Sequence, residues 1–179
     1  MSSSGAAESA GGEQRQPGGE SAPLIRRATA ADAAAIATLL RAAFDAHRGS
    51  YPPEAWRATT PGPPAIIARL EEGPVWVASR DATLVGTLSS VVMADELHLR
   101  SLAVDPAARR NGVAAALPHA ADEEARARRL RALSLETAEF LQAAVALYER
   151  LGFETRRSGD HHGLHTLWMT REAAMPWPS

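Results

Sequence analysis

The chain has 179 residues, 45% hydrophobic and 22% charged, which suits one soluble domain with a core of its own. Its net charge of −2 gives no reason to expect nucleic acid or an anionic membrane as a partner, and no apolar run approaches the roughly 18 residues that a membrane span needs. All 19 basic residues are arginine and cysteine is absent, which excludes lysine Schiff-base chemistry, disulfides, zinc thiolates and a covalent relay through a protein thiol.

Residues 1–22 are Ser, Gly, Ala, Glu and Gln with almost nothing apolar, and such a stretch is expected to be a disordered tail. With no basic-apolar secretory pattern at the start, the expected location is the cytoplasm. Order is expected over 23–175. Leu24 to Ala28 reads as a first strand. Thr29 or Asp32 then caps a helix with an apolar stripe of Ile36, Leu39, Leu40 and Phe44. His47 to Pro64, rich in proline, glycine and aromatic residues, reads as an ordered loop, with Tyr51 and Trp56 either lining a pocket or simply packing. A short helix follows at Ala65 to Glu72. Val75 to Ala78 and Thr83 to Met93, separated by Arg80-Asp81, form a hairpin pattern that leads to a third strand ending at Val104. Helical periodicity returns from Val113 to Arg129, a strand covers Ala132 to Glu136, and a helix covers Gln142 to Leu151. Strands near Phe153 to Arg157 and His165 to Thr170 close the chain. This order predicts an α/β (α+β) domain, a mixed sheet of about six to seven strands flanked by about four helices.

One strand carries an irregularity. In Glu96-Leu97-His98-Leu99-Arg100-Ser101-Leu102-Ala103-Val104 the apolar positions shift from odd to even numbers at Arg100-Ser101. Alternation forbids that on a regular strand with one buried face. Either a β-bulge inserts one residue there, a feature common beside active sites, or the far end is buried on both faces.

Asp105-Pro106-Ala107-Ala108-Arg109-Arg110-Asn111-Gly112-Val113-Ala114 follows and opens a helix. Free amides at a helix start, small residues at Gly112 and Ala114, and the guanidiniums of Arg109 and Arg110 suit a pyrophosphate. A simple cap with a solvated turn reads equally well from this segment alone. His161, His162 and His165 match no strong metal-ligand spacing, and no metal is expected.

The run Leu102-Ala103-Val104-Asp105-Pro106 with Arg109-Arg110-Asn111-Gly112-Val113-Ala114 resembles the acetyl-CoA signature of the GNAT superfamily, Arg/Gln-x-x-Gly-x-Gly/Ala after a strand. Ala144-Val145-Ala146-Leu147-Tyr148-Glu149-Arg150-Leu151-Gly152-Phe153 resembles that family's Ala-x-x-Leu-Tyr-x-x-x-Gly-Phe ending. The resemblance implies the GNAT fold from about Leu24 to Thr170, with acetyl-CoA as cosubstrate and an amine as acceptor. It implies that the backbone of Leu102, Ala103 and Val104 receives the pantetheine arm, with the Leu102 amide polarising the acetyl carbonyl. Amides from Arg109, Arg110, Asn111, Gly112 and Val113 to Ala114 hold the pyrophosphate, Ala144 lies against the cofactor, and the bulged strand splays from the strand at Leu133 to Glu136. Tyr148 is the implied general acid, although helical spacing alone fits a packing residue. For the general base, His98 and Glu96 stand on one strand face with Arg100, His98 having the better-suited pKa. Two positions depart from the pattern: Leu141 replaces a common asparagine, and Pro118 sits inside the pyrophosphate helix at a cost of about 3 kcal/mol. The alternative is an acyl-CoA-binding module of the same fold without turnover. A G-x-G-x-x-G dinucleotide fold is not matched, and homodimers are frequent in the superfamily.

Overall fold

The structure, a computed structural model, describes residues 22–177. The expected tail at 1–22 therefore lies, but for Ala22, outside the described residues. Seven strands form one sheet in the order β1-β2-β3-β4-β5-β7-β6, and all neighbours are antiparallel except β4 and β5. The strands are β1 (Leu24–Arg27), β2 (Val75–Arg80), β3 (Thr83–Met93), β4 (Glu96–Val104), β5 (Ala132–Ala138), β6 (Glu154–His161) and β7 (Leu164–Glu172). The helices are α1 (Ala33–Phe44), α2 (Pro53–Thr59), α3 (Pro63–Glu72), α4 (Val113–Ala127) and α5 (Gln142–Arg150).

Both faces of the sheet are covered. Trp76 and Ala78 of β2 point into a core shared with Leu117 and Ala121 of α4 and with Tyr148, Leu151 and Phe153 around α5. Their alternates Val75 and Val77 join Ile36 and Leu40 of α1 and Ile66 of α3 on the other side. Each fully buried aliphatic side chain contributes about 1.5–3 kcal/mol. Helix α4 lies so close to the sheet that a Cβ on Gly86 of β3 would stand 2.7 Å from Val113 Cγ1. The turns at Asp81-Ala82 (φ 48° and 64°) and His162-Gly163 (φ 48° and 75°) have the positive φ pair of tight hairpins.

Two local expectations change. The segment read as a loop from His47 to Pro64 contains α2. Its prolines open helices instead of breaking them, because Pro53 at the start of α2 and Pro63 at the start of α3 have amides that no helix turn requires. Helix α4 runs unbroken through Pro118 and stops at Ala127, where Arg129 turns left-handed (φ 58°) and the Leu130 amide donates back to Ala125 at 2.9 Å.

Candidate active site

The bulge is present. Ser89 of β3 faces Arg100 and Thr87 faces Ala103, so Ser101 and Leu102 together oppose the single residue Leu88. Ser101 takes φ 56°. One residue is thereby absorbed. Leu97, Leu99, Leu102 and Val104 all pack on the α4 side, while Ala103 turns toward α1.

Beyond the bulge β4 leaves its neighbour. The parallel pairing with β5 covers only Glu96–Leu99 against Ala132–Leu135, and β5 continues alone beside β7 as far as Ala138. From Arg100 onward the outer backbone edge of β4 has no strand partner. A wedge opens there, and two cavities adjoin it.

The first cavity, 240 Å³, runs from Arg109 and Ala114 along Leu102, Ala103 and Val104 to Leu141, Ala144 and Tyr148, with Phe44 and His47 opposite. Its Arg109 end is built locally. Asp105 Oδ1 accepts from the Ala107 amide at 2.8 Å, fixing the turn after β4, and the Arg109 guanidinium donates to the Ala43 carbonyl at 3.2 Å, tying the loop to α1. Arg110 (φ 66°) and Gly112 (φ 76°) take left-handed conformations, and no side chain caps α4. The first-turn amides of such a helix are donors for an anion. Arg110 and Gly112 are exposed and Asn111 is half-buried, whereas Val113 is core rather than lining, 1% exposed. The mostly apolar walls, the free strand edge and the uncapped helix start fit a pantetheine arm ending in a pyrophosphate.

The second cavity, 330 Å³, lies across the wedge and shares Phe44, Leu102, Leu141, Ala144 and Tyr148 with the first. Its other walls include Tyr51, Arg69, Arg100, Ser101, Glu136, His161 and His162. Tyr51 is held edge-on by Phe140 at 5.2 Å, Trp56 at 5.9 Å and Phe44 at 6.3 Å. Trp56 itself packs behind Tyr51 and does not line the cavity. His161 Nε2 lies 3.9 Å from Glu136 Oε2.

Tyr148 is buried at 9% exposure and meets Phe153 edge-on at 5.8 Å. Burial, with nearby Tyr51 adding to it, pushes its phenol well above the usual tyrosine value, so the phenol is in its acid form at neutral pH. The two residues expected to act as bases line neither cavity. His98 is half-buried, its Nδ1 3.2 Å from Ser134 Oγ, and burial lowers its pKa against the opposing pull of Glu136. Glu96 is bound by the Arg131 guanidinium at 2.6 Å. Glu136 was not singled out in the sequence. The available signal was a carboxylate on the polar side of Leu133-Ser134-Leu135-Glu136, one residue past the last β4 pairing.

Comparison with known proteins agrees with this geometry. The sequence profile of the Acetyltransferase (GNAT) family matches residues 34–153, and the chain belongs to that family. Among curated proteins it is 30% identical to the Uncharacterized N-acetyltransferase YjgM of Escherichia coli strain K12, over 74% of this chain and 82% of that one. It is 38% identical to the Probable N-acetyltransferase camello of Xenopus tropicalis over 46% of this chain and 39% of that one. Its fold resembles the PaiA N-acetyltransferase of Thermoplasma acidophilum solved with coenzyme A, at TM-score 0.73 and 16% identity over 85% of this chain and 99% of that one. It also resembles the ribosomal-protein-alanine N-acetyltransferase of Brucella melitensis, at TM-score 0.68 and 27% identity over 83% and 99%.

Proposed function

We propose that this chain, through the domain at 23–175, is an N-acetyltransferase that joins acetyl-CoA and a primary amine in one ternary complex. The observation that carries this reading is the meeting of two cavities at Leu102 and Tyr148, where β4 and β5 part. A chain without cysteine has no thiol to carry the acetyl group, which favours direct transfer.

Bound acetyl-CoA supplies an activated acetyl thioester. The backbone of Leu102, Ala103 and Val104 aligns the arm, and the amides of the 109–114 loop hold the pyrophosphate. The neutral amine nitrogen attacks the carbonyl carbon. As the new C–N bond forms, the Leu102 amide stabilises the charge gathering on the carbonyl oxygen. The C–S bond breaks, and the Tyr148 phenol delivers its proton to the departing sulfur. Glu136 takes the proton that the nitrogen must lose, because it is the carboxylate on the β5 wall of the acceptor cavity. His98, farther along the same face, is the next proton acceptor, and Glu96 stands behind it in an ion pair with Arg131.

Free thiol release from acetyl-CoA, measured against polyamines, amino acids, aminoglycosides and peptide N-termini, tests the reading. Amine-dependent release that falls in Tyr148→Phe supports it. Acetyl-CoA binding without release for any amine would make the chain an acyl-CoA-binding module, and absence of binding would overturn both.

A further inference from the structure

We infer that Arg171, closed in by residues 173–177, is a positioning residue that fixes the Tyr148 phenol at the slot between β4 and β5. The inference rests on the acid role proposed for Tyr148 above and names what holds that acid in place.

Helix α5 has little packing of its own to hold it. Of its nine residues only Tyr148 is buried, so the core pins the helix at one point. Its C-terminal end is pinned by Arg171. The Arg171 Nε donates to the Leu151 carbonyl at 2.9 Å, less than one helical turn past Tyr148. The Tyr148 carbonyl accepts from the Leu151 and Phe153 amides at 3.1 and 3.0 Å, and Gly152 between them turns left-handed at φ 84°. That turn rests on the guanidinium, since a Cβ on Gly152 would stand 3.5 Å from Arg171 Nε. Helix α5 therefore ends against Arg171, and a shift of that end moves the phenol with it.

The rest of the guanidinium is tied to two other parts of the fold. Nη1 donates to Asp122 of α4 at 3.2 Å, and Nη2 donates to the carbonyls of Met175 and Pro176 at 2.7 and 3.0 Å. Trp177 covers it. The indole ring lies 4.2 Å from the guanidinium, and its Nε1 donates to Asp122 Oδ2 at 2.9 Å. Arg126 holds the same segment to α4, donating to the Met175 carbonyl and to Asp122 at 2.8 Å each. A buried ion pair is often no more stabilising than apolar packing of the same volume. What apolar packing cannot do is aim. One planar group with fixed donor directions sets α4, α5 and the segment after β7 in register. Ala114 of α4 and Ala144 and Tyr148 of α5 line the first cavity, so that register also sets the place of the phenol beside it.

The chain has two tyrosines, Tyr51 and Tyr148, so protein labelled with fluorotyrosine gives two fluorine resonances, assigned with Tyr51→Phe and Tyr148→Phe. Trp177→Ala, which opens the guanidinium to water, should shift and broaden the Tyr148 resonance and leave that of Tyr51 in place. Trp177→Phe, which keeps a ring over the guanidinium, should move it less and in the same sense. With an amine that the wild type acetylates, kcat in Trp177→Ala should fall about tenfold while calorimetry shows acetyl-CoA affinity unchanged. In a Tyr148→Phe background the same substitution should cost less than about twofold, because the phenol it positions is gone. A Tyr148 resonance unmoved in both Trp177 variants, or losses in kcat that multiply in the double variant, would overturn the positioning role and leave the acetyltransferase. A moved resonance in a protein that acetylates no amine would keep Tyr148 anchored by Arg171 and overturn its role as an acid.

Discussion

The Arg69 guanidinium donates to Ser101 Oγ at 2.7 Å, joining α3 to the one residue of β4 with a left-handed backbone. A serine at φ 56° costs strain that a β-branched residue would find harder to bear. Ser101→Val is expected to lose about 1–3 kcal/mol of stability and to misalign Leu102, whereas Ser101→Gly should keep stability within about 1 kcal/mol. Urea unfolding of the pair checks this; equal losses would remove the role assigned to the bulge.

Tyr148→Phe keeps the ring that packs on Phe153 and removes the phenol proton. Its kcat should fall about 10²-fold, with acetyl-CoA affinity unchanged by calorimetry. Because the phenol titrates above the ordinary tyrosine value, the wild-type kcat should not decline through pH 10 from loss of this acid. A decline there that is absent from the mutant would contradict the assignment.

His98 has its pKa lowered by burial, so the folded protein stays unprotonated there where the unfolded chain, near the usual 6.5, takes up a proton. The stability this group contributes is fully present above pH 6.5 and is lost as the pH falls through the folded value. His98→Gln should therefore flatten the acid-side fall in Tm. An unchanged slope in the mutant would show that His98 is not the responsible group.

Gly86→Ala should destabilise the domain by about 1–3 kcal/mol, because its Cβ would meet Val113 Cγ1 at 2.7 Å and Leu117 Cδ1 at 3.0 Å. Thermal melting should show a drop of several degrees. The displaced α4 also carries the 109–114 loop proposed to hold the pyrophosphate, so acetyl-CoA affinity should fall with it.

Arg171, 2% exposed, binds Asp122 at 3.2 Å and the carbonyls of Leu151, Met175 and Pro176, and its guanidinium lies 4.2 Å over Trp177. Asp122→Ala leaves that charge buried without its counter-ion and should cost about 3–5 kcal/mol. A loss under 1 kcal/mol by denaturant titration would show the backbone carbonyls suffice.

The bulge was legible because alternation is a strict rule, and a shift from Leu97 and Leu99 to Leu102 and Val104 breaks it locally. The turn from Asp105 to Ala114 leading into an uncapped helix was legible because its parts are contiguous. Helix α2 was not, since the same prolines that end helices also begin them. The second cavity, proposed to take the acceptor, was least legible. Arg69, Arg100, Glu136 and His161 come from α3, β4, β5 and β6, and no spacing in the chain records their convergence. Glu96 and His98 shared a face with Arg100 as alternation requires, but the wedge opens only after Leu99, one step beyond them.

The parting of β4 and β5 turns the sheet into a partition with a slot. On the proposed reading, the two reactants occupy adjoining cavities and meet at Leu102 and Tyr148. The slot, on that reading, brings the amine and the thioester together while most of the walls around each come from different elements.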